Sequence, residues 1–453
     1  MSGRAAMRIL LPTMLLYSLG LLAAIVIASP YWLLRMVRSG RYRDGLAQRL
    51  GAVPSGLREL AGRRRIVWVH AVSVGEVIAA TRLVALLDRM RPDVAVVIST
   101  TTRTGQQMAR KRFENAETLG TRVFFYPLDF AWIVRRYLRV LRPCALVLME
   151  SELWPRMIWE ADRAGIPVIV ANGRISDRSL PRYRALRALW RPFLRRLTLV
   201  LAQSEQDEQR FRSIGVPDAK LRTAGNLKYD VRIAEEAAVT RELRDRLPEN
   251  ARVIVAGSTL AGEESYLLSA FHQLRAQFPN LILILAPRHP ERFGQVADLI
   301  QEKGFLCSHA SEWMQHPAPL PEGCVFLLDS MGDLASVYAL ASVAFVGGSL
   351  VPSGGHNPLE PAQFGVPIVT GPHMENFRGI AAVLLAQSAM RVSQPEQLPV
   401  VLGELLASPA AAEMGRRAQQ VFQANAGASQ RCFEAISALL AQNPTCDRQL
   451  ESR

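Results

Sequence analysis

The sequence predicts an α/β protein with two doubly wound, parallel-sheet domains and an N-terminal membrane-anchor helix. Its 453 residues exceed the roughly 250 to 300 that one compact core usually holds. From Arg65 onward, short β-branched apolar runs alternate with helical stretches, and this alternation restarts after the charged stretch Glu235–Asn250. The predicted division is an anchor at residues 1–35, a first α/β domain at residues 36–230, and a second at residues 231–453 that includes C-terminal helices.

The predicted anchor is the uncharged run Ile9–Leu34. As a helix it is long enough to cross a hydrocarbon core of about 30 Å. Pro12 and Pro30 reduce the uninterrupted part to Thr13–Ser29, so partial insertion remains an alternative to a full span. A cleaved signal peptide and a buried core helix are two further interpretations.

Arginines flank the anchor unequally, and the positive-inside rule then places the large C-terminal part in the cytoplasm. The flanking residues are Arg4 and Arg8 before the run, and Arg35, Arg38, Arg41, Arg43 and Arg49 after it. The five scattered cysteines form no CxxC pair, which argues against a disulfide framework or a zinc site and for a reducing compartment.

Charge is distributed unevenly along the chain. Residues 1–230 hold 38 of the 54 lysines and arginines and 18 of the 40 acids, a formal +20, while the remainder carries −6. Such one-sided charge suits a protein that lies against an anionic surface. Between Arg174 and Arg196, arginines alternate with leucines and aromatic residues, which indicates a membrane-surface helix or, alternatively, the solvated face of a core helix. No nucleic-acid-binding motif accompanies the charge, so nucleic acid is not expected as a partner.

The predicted strands are nearly continuous in apolar residues, as expected for parallel strands covered by helices on both faces. They lie at residues 66–71, 94–100, 122–127, 145–150, 166–172 and 197–204, then at 252–259, 281–287, 324–330, 343–349 and 366–371. Folds of this kind bind ligands at the carboxyl ends of their strands, so function is expected there and in the cleft between the two domains.

Acidic residues follow two predicted strands of the first domain. Glu76 lies just past a glycine-containing turn at the start of a helix, where its carboxylate could take a proton from an incoming hydroxyl. The alternative role is simple complementation of the helix dipole. Glu150 and Glu152 end the fourth strand and predict a polar acceptor subsite, with Ser151 or Glu152 also able to cap the helix that begins at Pro155. Arg174 ends the fifth strand and adds a donor-rich group to this expected acceptor site.

Small residues and cations follow the first two strands of the second domain. Ser258 precedes a helix that begins near Gly262 and Glu263, a setting in which backbone N–H groups can bind an anion. Arg288 and His289 follow the next strand and could hold a leaving phosphate. The Walker pattern is missing, so ATP hydrolysis is not implied.

A glycine-rich segment follows the fourth strand of the second domain. Gly348 and Ser349 close that strand, and Asn357 before a proline predicts a helix start. Glu360 then lies in the first turn, where its carboxylate could accept hydrogen bonds from two vicinal hydroxyls such as those of a ribose, or merely complement the dipole. Loop, cap and acid together predict a nucleotide-sugar site.

These segments resemble the 3-deoxy-D-manno-octulosonic acid (Kdo) transferases of lipopolysaccharide synthesis. The resemblance covers nearly the whole chain in the expected order, through HAVSVGE, MESELWP, NGRIS, GNLKYD, APRHPERF, FVGGS, GGHNPLEPA and GPHMENF. It implies a GT-B glycosyltransferase of family 30 that moves Kdo from CMP-Kdo, with inversion, to the lipid A precursor (lipid IVA) at the cytoplasmic face of the inner membrane.

The same resemblance implies roles for individual residues. Glu76 would be the catalytic base, and Lys228 and Ser258 would lie near the phosphate or carboxylate of the donor. The CMP-binding region would contain Arg288, Gly348, Ser349, Asn357 and Glu360. Neither a metal nor a cofactor is expected, since no DxD-type pair ends a strand and a monophosphate leaving group needs less neutralisation than a diphosphate.

Two other functions remain compatible with the sequence. One is a membrane-surface GT-B transferase that uses a UDP-sugar. The other is a membrane-tethered regulatory protein that binds a nucleotide sugar without turnover, although this leaves Glu76 without a task.

Overall fold

The structure is a computed structural model that describes residues 14–31, 44–114, 122–230, 236–321 and 323–442. Arg4, Arg8, Arg35, Arg38, Arg41 and Arg43 lie outside the described residues, so the charge bias around the anchor stays a prediction.

The described residues form helices that we number in chain order. They are α1 Met14–Tyr31, α2 Leu46–Arg49, α3 Ser55–Arg63, α4 Val74–Met90, α5 Arg103–Phe113, α6 Ala131–Leu141, α7 Pro155–Arg163, α8 Leu180–Ala185, α9 Arg187–Leu194, α10 Glu205–Ile214, α11 Ala238–Arg246, α12 Glu263–Leu274, α13 Phe293–Glu302, α14 Ala310–Trp313, α15 Leu334–Val337, α16 Leu359–Ala362, α17 Arg378–Ala386, α18 Leu398–Ala407, α19 Ala410–Ala424 and α20 Ala428–Ala441.

The strands are likewise numbered in chain order. They are β1 Arg65–His70, β2 Val94–Thr100, β3 Val123–Phe125, β4 Ala145–Met149, β5 Val168–Gly173, β6 Leu199–Ala202, β7 Leu221–Thr223, β8 Arg252–Thr259, β9 Leu281–Pro287, β10 Cys307–His309, β11 Val325–Leu327, β12 Val343–Val346, β13 Ile368–Thr370 and β14 Met390–Val392. Each predicted strand is present, and the structure adds β7, β10 and β14, which the sequence does not predict.

The chain divides into two compact units, the first comprising Met1–Val231 and Ala426–Arg453 and the second Arg232–Asn425. The sequence-based division assigned all residues after 230 to the second domain. The structure differs because α20 packs against α4, where Cys432, Phe433 and Ile436 join the core on one face of the first sheet.

In the first unit, the described strands form a parallel sheet in the order β3-β2-β1-β4-β5-β6-β7. Strands β1, β2, β4 and β5 are almost completely buried because helices cover both faces of the sheet. The strand order reverses between β1 and β4. The carboxyl ends of these two strands therefore flank the crevice in which such sheets bind ligands.

In the second unit, the described strands form a parallel sheet in the order β10-β11-β9-β8-β12-β13-β14. Its two faces are covered by separate apolar clusters, one of which includes α12, α13 and α18 and the other α11. Here the order reverses between β8 and β12. The carboxyl ends of those strands again flank a ligand crevice.

Helix α1 is long and apolar enough to cross a membrane, by length and composition. Only 6% of its 18-residue window is buried, and the exposed side chains include Leu16, Val26 and Ile27. Among the cysteines, Cys307, Cys324 and Cys432 are free, whereas Cys144 is disulfide-bonded. The disulfide at Cys144 is not foreseen from the sequence, in which the scattered cysteines argue against a disulfide framework.

Candidate active site

The carboxyl edge of the first sheet brings together the three acids predicted from the sequence. Glu76 lies in the first turn of α4, directly after β1, and Glu150 and Glu152 follow β4. Because β1 and β4 are hydrogen-bonded neighbours, with His70 opposite Leu148, their carboxyl ends lie side by side. The charges of Glu150 and Glu152 reach Glu76 and contribute to its raised pKa.

Glu76 is a buried carboxylate, with 8% of its surface exposed. Its Oε2 accepts a hydrogen bond of 2.8 Å from the Val72 N–H, and its Oε1 accepts one of 3.1 Å from the Ser73 hydroxyl. Burial raises the pKa of Glu76 to about 7 because it disfavours the ionised form, and the Val72 hydrogen bond only partly opposes this. A pKa near neutrality suits a general base.

Glu150 and Glu152 lie on a tightly turned segment. Glu150 has a φ of +53°, the left-handed region that few non-glycine residues adopt, and its N–H donates to Ala171 O at 2.9 Å. Such strain commonly marks functional sites. Glu152 Oε2 accepts a hydrogen bond of 3.0 Å from Trp154 Nε1, and burial raises the pKa of Glu152, with a smaller contribution from the charge of Glu150.

A cluster of aromatic side chains packs beneath the carboxyl edge of the first sheet, and it was not predicted from the sequence. His70 stacks on Tyr126 with ring centroids 3.8 Å apart, and Tyr126 packs against Trp154 at 5.7 Å. His70 Nδ1 lies 3.0 Å from the Ser99 hydroxyl. Burial lowers the pKa of His70 to about 3, so its ring is neutral at physiological pH.

The helix start at Pro155 is as predicted, but its cap is not. Neither Ser151 nor Glu152 caps α7, because the side chain of Asp129 accepts the N–H groups of Arg156 and Met157 at 2.9 and 2.8 Å. Asp129 precedes α7 by 26 residues, so no local sequence pattern reveals it. The Glu152 carboxylate instead accepts the hydrogen bond from the Trp154 indole.

The carboxyl end of β5 carries Asn172 and Arg174. Asn172 has a φ of +58° at an irregularity in the pairing of β5 with β6, and its side-chain oxygen accepts the Leu227 N–H at 3.0 Å. This bond attaches the short 3-10 helix Leu227–Asp230, which bears Lys228, to the same edge. Arg174 is half-buried and makes no side-chain hydrogen bond or ion pair within the described part of the chain. Lys228 therefore belongs to the first unit, unlike the other residues expected to bind the donor.

The second candidate site lies at the carboxyl ends of β8, β9 and β12. Ser258 has a φ of +57° where the pairing of β8 with β9 is irregular. Arg288 and His289 follow β9 and are exposed, and the Arg288 N–H donates to Thr259 O at 3.0 Å. A Cβ atom on Gly347 would lie 2.5 Å from Ser258 O, so only glycine permits this close approach.

The glycine-rich turn after β12 is organised by Glu263, which the sequence analysis did not select. Its carboxylate accepts the N–H groups of Gly348 at 2.7 Å, Ser349 at 2.9 Å, Leu350 at 2.9 Å and Leu260 at 2.8 Å. Sequence reasoning placed a bound anion near the start of α12. In the structure the anion there is the Glu263 side chain itself.

Ser349 is completely buried in this turn. Its hydroxyl donates to Val346 O and accepts the Gly371 N–H at 2.8 Å. Ser349 therefore links the glycine-rich turn to β12 and to the segment after β13 by hydrogen bonds. The assignments of Gly348 and Ser349 to donor binding stay predictions.

Asn357 and Glu360 lie together at the start of α16, as expected from the sequence. Asn357 Oδ1 accepts the Leu359 N–H at 3.2 Å, and Asn357 Nδ2 lies 3.4 Å from Glu360 Oε1. Burial raises the pKa of Glu360 to about 7, against the opposing effects of Asn357 and the Arg288 charge. The electrostatic effect of Arg288 places it near Glu360.

His356 is a further residue of this group that the sequence analysis missed. Its Nε2 is buried and has no hydrogen-bond partner within the described part of the chain. A Cβ on Gly348 would approach that atom to 3.0 Å. Burial lowers the pKa of His356 to about 4, and the charges of Arg288 and His289 lower it further. A neutral imidazole with a spare nitrogen beside the Arg288 guanidinium is suited to a polar anionic ligand.

The arginine-rich segment of the first unit forms two short helices, α8 and α9, instead of one. The break falls at Leu186, and Pro192 lies inside α9. Phe193 and Leu194 are buried, whereas Leu186 and Leu189 are 51% and 47% exposed. The exposed arginines beside them are Arg182, Arg184, Arg187, Arg191 and Arg195. A surface that is both cationic and apolar matches the requirements of an interfacial helix at an anionic membrane.

The chemistry available at the two edges differs. The first offers a carboxylate poised near neutral pH with two further acids beside it. The second offers the exposed side chains of Arg288 and His289, the neutral imidazole of His356 and a carboxyl group at a helix start. In the described ranges, no group of three or more His, Cys, Asp or Glu side chains is arranged to hold a metal ion.

Comparison with known proteins identifies the family. A family model described as 3-deoxy-D-manno-octulosonic-acid transferase (kdotransferase) matches residues 44–231. The chain is 36% identical over 420 residues to the 3-deoxy-D-manno-octulosonic acid transferase of Haemophilus influenzae, covering 90% of this chain and 94% of that protein. It is 34% identical over 415 residues to the enzyme of the same name from Bordetella pertussis, covering 89% of this chain and 94% of that protein.

Among solved structures, UDP-GlcNAc 2-epimerase from Neisseria meningitidis matches with a TM-score of 0.52 and 12% identity, covering 84% of this chain and 100% of that chain. A likeness at this identity shows the fold alone, and it confirms the predicted GT-B fold class of two doubly wound sheets. Identity above 30% along nearly the whole length of two relatives shows that the chain is an enzyme of the 3-deoxy-D-manno-octulosonic acid (Kdo) transferase family.

Proposed function

We propose that this Kdo transferase moves Kdo from CMP-Kdo to the bisphosphorylated lipid A precursor, lipid IVA, with inversion at the anomeric carbon and with Glu76 as the base. The reaction belongs to the assembly of the lipopolysaccharide core. We further propose that it takes place at the cytoplasmic face of the inner membrane, with α1 as the anchor.

The observation that carries this proposal is the state of Glu76. Its carboxylate lies at the point where the strand order of the first sheet reverses, and burial raises its pKa to about 7. At physiological pH a substantial fraction is ionised and can accept a proton, yet the group is basic enough to draw that proton from a hydroxyl as the new bond forms. An oxygen that already accepts one hydrogen bond retains a second lone pair for this task.

Glu76 takes the proton of an acceptor hydroxyl while the hydroxyl oxygen bonds to the anomeric carbon of Kdo. The bond between that carbon and the phosphate oxygen breaks, and CMP leaves with the bonding electron pair. Attack from the face opposite the leaving group inverts the configuration.

Residues of the second unit supply the expected donor contacts. Arg288 and His289 are exposed at the carboxyl end of β9, where a leaving phosphate would gain from the charge of the guanidinium and from hydrogen-bond donors of both side chains. Glu360 and Asn357 at the start of α16 offer acceptor and donor groups for the hydroxyls of a ribose. Ser258, together with Lys228 of the first unit, is proposed to bind the phosphate or the carboxylate of the donor.

Residues of the first unit suit an anionic lipid acceptor. The exposed arginines and leucines of α8 and α9 provide charge and apolar area for a phosphorylated lipid in a membrane surface. Glu150, Glu152 and Arg174 are proposed to orient the sugar part of the acceptor near Glu76. The exposed apolar surface of α1 supports its role as anchor.

The direct test is Glu76→Gln. Glutamine keeps the size and a hydrogen-bond acceptor for the Val72 N–H but cannot take the proton, so the transfer rate should fall by about 10²-fold or more while CMP-Kdo binding is retained. The measurement is product formation with CMP-Kdo and lipid IVA by mass spectrometry, with donor affinity by calorimetry. Glu205→Gln is the matched control, because Glu205 is an exposed first-turn acid of α10 in the same unit. Turnover near that of the unmodified enzyme in Glu76→Gln would remove Glu76 from the role of base.

Donor identity has its own test. CMP should inhibit transfer strongly and UDP weakly. The reverse order would assign the second unit to a different nucleotide sugar.

A further inference from the structure

The first turns of α1 are attached to the body of the first unit. Met14 is almost fully buried, and it packs with Trp159 of α7 and Phe193 of α9. Farther along the helix, Leu19, Leu22 and Ile27 remain exposed. The apolar attachment is thus found where the helix begins, and the exposed remainder is the part available to lipid.

Polar contacts reinforce the same attachment. The Tyr17 hydroxyl donates a hydrogen bond of 2.8 Å to Asp129 Oδ2. Arg156 Nη2 donates to Met14 O at 3.1 Å and to Ser18 Oγ at 2.9 Å. These bonds join residues more than 100 positions apart in the sequence. Since each is directional and together they join α1 to the start of α7 at several points, they fix the rotation and height of α1 relative to α7.

Asp129 serves two elements with one carboxylate. It is 1% exposed, and besides the Tyr17 hydroxyl it accepts the N–H groups of Arg156 and Met157 at the start of α7. Trp154, the residue at the N-terminus of α7, provides no side-chain cap of its own. Burial raises the pKa of Asp129 to about 6, while the bonds from Arg156, Tyr17 and Met157 favour its ionised form.

The start of α7 is continuous with the acidic segment beside Glu76. Trp154 directly precedes Pro155 and donates to Glu152 at 3.0 Å, and its ring packs on Tyr126. Burial raises the pKa of Tyr126, and the charges of Asp129 and Glu152 raise it further, so Tyr126 lies near both acids. Contacts therefore run without a gap from α1 to Glu152.

We infer that Tyr17, Asp129 and Arg156 form a positioning link, which sets the acceptor-binding segment Glu150–Trp154 at a fixed height above the membrane that holds the exposed remainder of α1. This inference rests on the proposed lipid acceptor. A lipid headgroup has a fixed depth in the bilayer, so its hydroxyl reaches Glu76 only if the enzyme is held at a matching height. Misplacing a reacting group by about 1 Å can cost about 10²-fold in rate.

The test compares one acceptor in two physical states. Full-length enzyme carrying Tyr17→Phe, which removes only the hydroxyl that reaches Asp129, is reconstituted in vesicles. Transfer from CMP-Kdo is then measured to lipid IVA embedded in those vesicles and to detergent-dispersed lipid IVA. For the embedded acceptor, kcat/KM should fall by about 5-fold or more, whereas KM for CMP-Kdo and the rate with dispersed acceptor should change less than about 2-fold. Tyr17→Phe combined with Ser18→Ala, which also removes a contact of Arg156, should enlarge the difference.

Ser29→Ala is the matched control, since it removes an exposed hydroxyl of α1 that bonds only locally to Val26 O. If Tyr17→Phe behaves like Ser29→Ala on both acceptors, the link is overturned. Equal losses on both acceptors with a lowered Tm would also overturn it, because they indicate a purely structural role. Failure of the unmodified enzyme to act on embedded lipid IVA would overturn the proposed acceptor itself, and with it the link.

Discussion

Glu76 combines a structural task with a chemical one. The hydrogen bonds from Val72 and Ser73 hold its side chain at the start of α4, which is the dipole-complementing role expected of a first-turn acid. Burial together with Glu150 and Glu152 keeps its pKa near 7. A first-turn acid that only complemented the helix dipole would act best when fully ionised. The raised pKa weakens that interaction, but it gives Glu76 the proton affinity that a general base needs.

Because burial disfavours the ionised form of Glu76, the substitution Glu76→Gln should affect stability in a pH-dependent way. The pKa of Glu76 is raised from 4.5 in the unfolded chain to about 7, so the folded protein favours the neutral form. That stabilisation is complete below about pH 4.5, declines as the pH rises, and is lost once the pH passes 7. Glutamine is neutral throughout and can bond both Val72 N–H and Ser73 Oγ. The Tm of the variant minus that of the unmodified protein should therefore grow between pH 5 and 7, to the equivalent of a few kcal/mol, and then level off.

Thermal melts at a series of pH values provide the measurement, with Glu205→Gln as the exposed control. A Tm difference that stays constant from pH 5 to 8 would contradict the raised pKa.

Individual site residues can be predicted from the sequence when their position follows from chain order alone. Glu76 and Glu150 are found because each directly follows a strand, and the strands of such a sheet share one carboxyl edge. Asp129 and His356 are not found, because their significance depends on partners brought together by packing. Glu263 could have been predicted from the sequence. It is an acid at a helix start beside small residues, and such an acid can itself be the anion that backbone N–H groups bind.

Among the elements, strands that are buried along their whole length are predictable, including the edge strand β3, and partly exposed edge strands are not. β2 and β9 are buried along their whole length and therefore appear as continuous apolar runs. β7, β10 and β14 lie at sheet edges, are three residues long and are partly exposed, so their sequences carry no such run. Only pairing with the neighbouring strand defines them.

The turn between β12 and α16 depends on Glu263, and this dependence can be tested. In Glu263→Gln the amide can accept with one oxygen only, and its NH₂ group faces backbone N–H donors, which should cost about 2 to 4 kcal/mol. We expect a lower Tm for the second unit and weaker binding of CMP, because Gly348 and the loop before Asn357 lose their support.

Glu302→Gln provides the control, as Glu302 is exposed at the end of α13 in the same unit. Calorimetric titration with CMP and a thermal melt measure the two effects. Unchanged values for both would show that the turn is held by other contacts.

For the whole molecule, the uneven charge and α1 together predict dependence on the membrane. Deleting residues 1–35 removes α1 and the contacts of Met14 and Tyr17 with the first unit. Transfer to membrane-embedded acceptor should fall by about 10-fold or more, while transfer to detergent-dispersed acceptor should fall much less. Equal loss on both forms, measured by product mass spectrometry, would indicate a structural role for the segment.

The order of helices along the chain affects how the first unit folds during synthesis. The last helix, α20, returns to the first unit, where Asp230 accepts the Gly427 N–H and Phe433 and Ile436 cover α4. During synthesis from the N-terminus, that apolar surface stays open until residues near 440 have left the ribosome, which happens only after the whole second unit has been made. The helix that bears Glu76 is thus formed early in translation and among the last to be enclosed.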